Sequence, residues 1–283
     1  MTDRINTILI IGATAGLGEA FTRRFHGLGK KVIITGRNQT KLDTLAKELD
    51  GISTRQFDIT DFAALPANVA SILEEFPKLD SVIINSGIQK SFNLYDPLSI
   101  TPDEIKGEIE TNLTGPTLLA RLFAPHLLGL AAQGIKTTLF TTSSSLAYVP
   151  LSFYPTYCAT KAGVHALTLI LRQQLAFAPE AIKKNMNIVE IVPPYVDTGL
   201  DKAHRETTIA MQDRLIPHYT STILFHVHAR LPTEYIEKFF EALEKVEPDG
   251  SLKKEIGVGF GEAGVATWRA AFGPTYDQMG LTT

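Results

Sequence analysis

The chain reads as an α/β protein built on a doubly wound, mainly parallel sheet of seven strands with helices on both faces. Three observations carry that expectation. Short runs rich in Ile and Val alternate with longer segments whose apolar residues recur at helical spacing. The first such run passes directly into a glycine turn and a helix. No repeat, low-complexity tract or Pro/Ser-rich linker divides the 283 residues, so one domain spanning 1–283 follows.

In chain order, strands are expected at ILII (8–11), VIIT (32–35), STRQFD, SVIIN (81–85), TTLFTT (137–142), NIVEIV (187–192) and EIGVGF (255–260). Runs this short and this rich in β-branched residues suit strands buried on both faces. Between them EAFTRRFHGLG, KLDTLAKEL and GVHALTLILRQQLAF carry the helical period. Residues 199–234 break the alternation after a strand's carboxyl end, where open α/β sheets bind ligands, and are expected to form a substrate lid. Residues 249–283 form a C-terminal extension.

Composition excludes several functions. With Lys+Arg at 27 against Asp+Glu at 30, the net charge of −3 gives no electrostatic reason to expect nucleic acid or an anionic membrane as partner. The single cysteine, Cys158, allows neither an intramolecular disulfide nor a cysteine-based zinc pattern. No apolar run reaches the roughly 18 residues needed to span a bilayer, and the N-terminus lacks the apolar region of a signal peptide. A cytoplasmic protein is expected. His226 and His228 in HVH share one strand face but have no third ligand at a telling spacing, so no metal is expected.

After ILII come Gly12, Thr14, Gly16, Leu17 and Gly18, in the spacing GxxxGxG. Small residues at a helix N-terminus let backbone N–H groups approach a pyrophosphate, which makes this turn a dinucleotide site. The second strand ends at Gly36-Arg37, where an NAD-selective site would offer a carboxylate to the ribose hydroxyls. A guanidinium binds a 2′-phosphate instead, so NADP(H) is the expected cofactor. Asp58, with Ile59 beside it, lies just past the third strand, within reach of the adenine amino group or acting only as a helix cap. Asn85, with Gly87 close behind, ends the fourth strand and braces the turn against the cofactor, or only satisfies strand-end backbone.

Tyr157 and Lys161 stand four apart, behind the consecutive serines Ser143, Ser144 and Ser145. On a helix that pair shares one face. An ammonium beside a phenol favours the phenolate, and lowering a pKa near 10 by two units takes about 2.7 kcal/mol. Tyr157 would then serve as general acid or base, with a serine hydroxyl holding the carbonyl oxygen as charge develops.

Taken together, Gly12xxxGly16xGly18, Asn85-Ser-Gly87, Asn112, the serine cluster, Tyr157xxxLys161 and the segment from Pro193 to Thr198 resemble the short-chain dehydrogenases/reductases over about residues 5–200. More narrowly, SSSLAYVPLSFYPTYCATKAG and IVPPYVDT resemble the DltE-like oxidoreductase subgroup. The resemblance implies a Rossmann-type sheet and a catalytic set of Asn112, Ser144, Tyr157 and Lys161. Ser144 is chosen because the family serine lies 13 residues before the tyrosine; alignment on the following alanine would give Ser145. The same resemblance implies that Lys161 also holds the nicotinamide ribose and that Pro193, Val196 and Thr198 fix the carboxamide. Pro194 replaces the family's usual glycine and Ile11 a frequent threonine.

The implied activity is NADPH-dependent reduction of a ketone or aldehyde, or oxidation of the corresponding alcohol, in a homodimer or homotetramer joined through helices around 112–130 and 157–178. Phe92, Phe153, Tyr154, Tyr195 and Leu200 are expected to line an apolar pocket. Two other readings keep the cofactor site: non-redox isomerisation or cyclisation, and dinucleotide sensing without turnover.

Overall fold

All seven expected strands form and all pair in parallel in a computed structural model, which describes residues 1–202, 231–247 and 252–281. They are β1 (Thr7–Ile11), β2 (Lys31–Gly36), β3 (Ser53–Gln56), β4 (Ser81–Ile84), β5 (Thr137–Thr142), β6 (Met186–Val192) and β7 (Glu255–Gly257). The order across the sheet is β3-β2-β1-β4-β5-β6-β7. Chain direction of winding reverses between β1 and β4, and a crevice opens there beyond the strands' carboxyl ends.

The two-residue period of each strand divides its side chains between two cores. Ile8 and Ile10 of β1 point into one cluster with Phe21 and Phe25 of α1 (Gly16–Gly27) and with Phe239 and Phe240 of α8 (Pro232–Glu244). The aromatic rings meet edge to face, Phe21 on Phe239 at 4.9 Å and Phe25 on Phe240 at 5.0 Å. Leu9 and Ile11 point the other way, joining Val69 and Ile72 of α3 (Leu65–Glu75) and Phe123 and Leu127 of α5 (Gly115–Ala132). Helix α2 (Gln39–Glu48) completes the first face, burying Leu42 and Leu45.

The seventh strand is shorter than expected. A β-carbon on Gly257 would lie 2.6 Å from the Glu262 nitrogen, and Gly259 adopts φ 59°, so the chain turns at once into α9 (Phe260–Gln278). Helix α6 (Pro155–Ala176), by contrast, begins earlier than its apolar period because Pro155 suits the first helical position. Its first two turns therefore carry both Tyr157 and Lys161. Most of the expected lid, including His226 and His228, falls outside the described residues.

Candidate active site

Helix α1 starts at the carboxyl end of β1 without a side-chain cap, because Ala15 stands at the N-cap position. Its leading amides are left for an external acceptor. The turn before it is built from glycines for steric reasons. Gly12 has φ 85° and Gly16 φ 56°; a β-carbon on Gly12 would meet Ser86 Oγ at 2.6 Å, and one on Gly18 would meet the Gly12 carbonyl oxygen at 2.0 Å. A β-carbon on Gly16 would lie 2.8 Å from Thr198 Cβ, so the Val196–Thr198 segment closes against the head of α1. Asn85 donates from Nδ2 to the Gly12 carbonyl at 3.2 Å. That bond ties the end of β4 to the turn. A backbone-walled cradle with free helix amides fits the pyrophosphate of a dinucleotide.

Farther along this edge, Thr14 packs so close to Gly36 that a β-carbon there would come within 2.5 Å of its Cγ2. Leu17 packs onto the first core and Ile59 is buried in the second. Arg37 is 65% exposed at the end of β2, with Nη1 3.7 Å from Asp58 Oδ2. The other Asp58 oxygen accepts from the Thr60 amide at 2.9 Å and from its hydroxyl at 2.8 Å. Asp58 thus caps its own turn and also faces Arg37.

The structure separates the three serines. Ser143 Oγ donates to Glu190 Oε1 at 2.5 Å, and Ser145 opens a short 3-10 turn with its amide on the Pro193 carbonyl at 2.8 Å. Ser144 accepts from the Leu146 amide at 3.1 Å and hydrogen-bonds the Tyr157 hydroxyl. Ser144 is therefore the serine that reaches the tyrosine. Tyr157, 7% exposed, packs with Phe153, Tyr154 and Cys158. Phe92 is buried outside that cluster, Tyr195 donates to Asp201 Oδ2 at 2.9 Å, and Leu200 stands 41% exposed.

Lys161 lies one turn below Tyr157, its Nζ 5.6 Å from the phenol ring centre and donating to the Thr142 carbonyl at 2.8 Å. Burial pushes its ammonium down to about 8, opposed by the charge of Glu108. The expected drop in the Tyr157 pKa is not found: burial pushes the phenol up, the Ser144 hydrogen bond pulls it part of the way back, and nearby acids add to the rise. Enclosure of the hydroxyl costs the phenolate more than its surroundings return.

Asn112 occupies a π-helical turn, Glu110–Thr114, between α4 (Pro102–Ile109) and α5. Its Oδ1 accepts from the Ile88 amide at 2.8 Å, and its Nδ2 donates to the Ile88 carbonyl at 2.8 Å and to Thr160 Oγ1 at 3.3 Å. A β-carbon on Gly87 would lie 3.4 Å from both Asn112 Oδ1 and Lys161 Nζ. Gly87 thus keeps the space between amide and ammonium open.

Two groups escaped the sequence reading. Glu190, fully buried in β6, gathers Ser143, the Tyr148 hydroxyl at 3.2 Å and His165 Nδ1 at 2.8 Å. Glu108, fully buried on α4, accepts from the Lys90 amide at 2.9 Å. A lone acid inside the apolar run NIVEIV was the only signal of the first. Among the described residues there is no cluster of metal-ligating side chains, and no helix is long and apolar enough to cross a membrane.

Comparison with known proteins agrees with this geometry. A family model described as short chain dehydrogenase matches residues 6–209. The uncharacterized oxidoreductase DltE of Bacillus subtilis (strain 168) is 36% identical over 204 residues, covering 71% of this chain and 75% of that protein. NADP-dependent 3-hydroxy acid dehydrogenase YdfG of Shigella flexneri is 33% identical over 169 residues, covering 59% of this chain and 66% of that protein. Among solved structures, a 3-ketoacyl-(acyl-carrier-protein) reductase from Brucella melitensis complexed with NADH aligns with a TM-score of 0.72 at 25% identity, covering 91% of this chain and 98% of that one.

Proposed function

The chain belongs to the short-chain dehydrogenase family of oxidoreductases, and from that premise we propose that it is an NADPH-dependent carbonyl reductase, working in reverse as an alcohol dehydrogenase. The observation that carries the reading is the Ser144–Tyr157 hydroxyl pair, enclosed above Lys161 while Ser143 is engaged by Glu190. One hydroxyl holds the carbonyl oxygen and the other delivers the proton.

A nicotinamide dinucleotide, when bound, would supply the hydride. The α1 amides and the glycine turn would hold its pyrophosphate, Arg37 its 2′-phosphate, and Pro193, Val196 and Thr198 its carboxamide. Ser144 donates a hydrogen bond to the substrate oxygen as negative charge builds there, and Tyr157 Oη transfers its proton to that oxygen to give the alcohol. The Lys161 ammonium, 5.6 Å from the phenol ring centre, would stabilise the phenolate left behind, and Asn112 anchors the loop at Ile88. The preference for NADPH is supported by Gly36, which offers no carboxylate, by the exposed Arg37, and by the NADP-dependence in the name of the YdfG relative.

Ile170 of helix α6 is 48% exposed and Phe177, which follows the helix, 89%, which supports assembly into a homodimer or homotetramer through this side of the molecule. The one cysteine, free and buried, suits a cytoplasmic setting. The test is loss of nicotinamide absorbance with NADPH or NADH and a panel of ketones, aldehydes and diketones, in wild type and Tyr157→Phe. NADPH consumption that disappears in the variant, with products heavier by two hydrogens, is the expected result. Unchanged turnover in Tyr157→Phe would overturn the assignment.

A further inference from the structure

Helix α4 carries an acid on its buried side. Glu108 is 0% exposed, and while one carboxylate oxygen accepts from the Lys90 amide, its Oε2 is buried with no hydrogen-bond partner. A buried carboxylate with unfilled acceptors is stabilised by a nearby cation or loses its charge. Glu108 and Asn112 are four residues apart on a helical path that packs against α6, where Tyr157 and Lys161 are likewise four apart. Asn112 in turn borders Lys161 across Gly87.

Among the described residues, the charged and titratable groups facing Glu108 are few. From the loop after β4 comes Lys90, whose ammonium is paired with Glu104 at 2.8 Å. From α6 come Tyr157, Cys158 and Lys161. Of the two cations, Lys161 has no carboxylate within ion-pair distance among the described residues; its hydrogen bond runs to the neutral Thr142 carbonyl.

We propose that Glu108 is a positioning residue, whose buried carboxylate keeps the Lys161 ammonium charged beneath the proton-donating tyrosine. The electrostatics agree: burial pushes Lys161 down to about 8, with the Glu108 charge opposing it. Burial pushes Glu108 up to about 7, while the Lys90 amide and the Lys90 and Lys161 charges pull it back. The charge of each group thus offsets part of what burial costs the other. The pair is fully charged only above the ionisation of Glu108 and below that of Lys161, which confines the productive state to a narrow interval around neutral to slightly alkaline pH.

The kinetic consequence rests on the reductase reading, whereas the charge coupling does not, and the experiment keeps the two apart. Full-length protein carrying carbon-13 at lysine Cε is titrated by NMR as wild type, Glu108→Gln and Glu108→Asp, with the Lys161 signal assigned through Lys161→Arg. The Lys161 midpoint should fall by roughly one unit in Glu108→Gln and recover in Glu108→Asp. An unmoved midpoint overturns the proposal. In the carbonyl-reduction assay the alkaline limb of the pH profile should shift down with it; absence of any carbonyl turnover in wild type would defeat the reductase reading alone. If Glu108→Gln does not fold, Lys161→Met decides: the Glu108 carboxyl, followed at Cδ, must titrate higher without the ammonium, and an unchanged value rejects the coupling.

Discussion

Ser143 Oγ is bound to Glu190 Oε1 at 2.5 Å inside the protein, while the adjacent Ser144 is the hydroxyl on Tyr157. Ser144→Ala should therefore lower kcat by roughly 10²–10³-fold, the range for removing one donor to a developing oxyanion. Ser145→Ala should change kcat far less. Steady-state kinetics of the two variants with one accepted carbonyl decides between them; equal losses would contradict the assignment.

Enclosure holds the Tyr157 phenol above its ordinary value of 10.0. The hydroxyl therefore remains protonated throughout the neutral and mildly alkaline range. A difference titration of tyrosinate absorbance, wild type minus Tyr157→Phe, should show no ionisation from this residue below that value. Repeating it with NADP+ present reports how far the cofactor moves the group.

Arg37 is largely exposed, so replacing it should leave stability unchanged while weakening recognition of the 2′-phosphate. Arg37→Ala should raise the KM for NADPH about tenfold, in keeping with loss of a charge-assisted hydrogen bond at a solvated site. The KM for NADH should stay where it was. A parallel rise for both cofactors would assign Arg37 a structural part instead.

Glu255 on β7 joins Arg172 of α6 to Arg269 of α9, and Arg172 also reaches the Lys254 carbonyl. Burial favours the neutral acid, but the two guanidiniums outweigh it and hold the carboxyl below its ordinary 4.5. Ionised Glu255 thus favours the folded chain: the contribution is complete above about that value and is withdrawn as pH falls through the lower folded-state value. Glu255→Gln, which strands a buried cation, should cost about 3–5 kcal/mol near neutrality. Chemical denaturation of wild type and variant at neutral pH and in acid should show the gap narrowing in acid.

The sheet was legible because buried parallel strands are near-continuous Ile/Val runs and the helices between them keep their period. Glycines at 12, 16 and 18 were legible for a different reason, since only the missing β-carbon permits those approaches. What sequence could not show was the wiring of buried polar groups. Spacing pointed to Ser144, with Ser145 the alternative on the following alanine, and it is the Ser144 side chain that the fold turns to the Tyr157 hydroxyl. Glu108 looked like any acid on a charged helix, because burial is decided by the facing helix rather than by the local pattern. Tyr157 was expected to ionise more readily than a free phenol, and desolvation, which no spacing reveals, reversed the direction.

Helix α9 lies beyond the region matched by the family model, yet Gly264 approaches Tyr148 closely enough that a β-carbon would sit 3.3 Å from it, and Trp268 packs its ring on His165 at 4.8 Å. Both partners feed Glu190, which holds Ser143 beside Ser144. If Ser144 and Tyr157 act as proposed, changes in α9 would reach them through Glu190, so a tail graft between relatives would be a more revealing chimera than an exchange of their shared motifs.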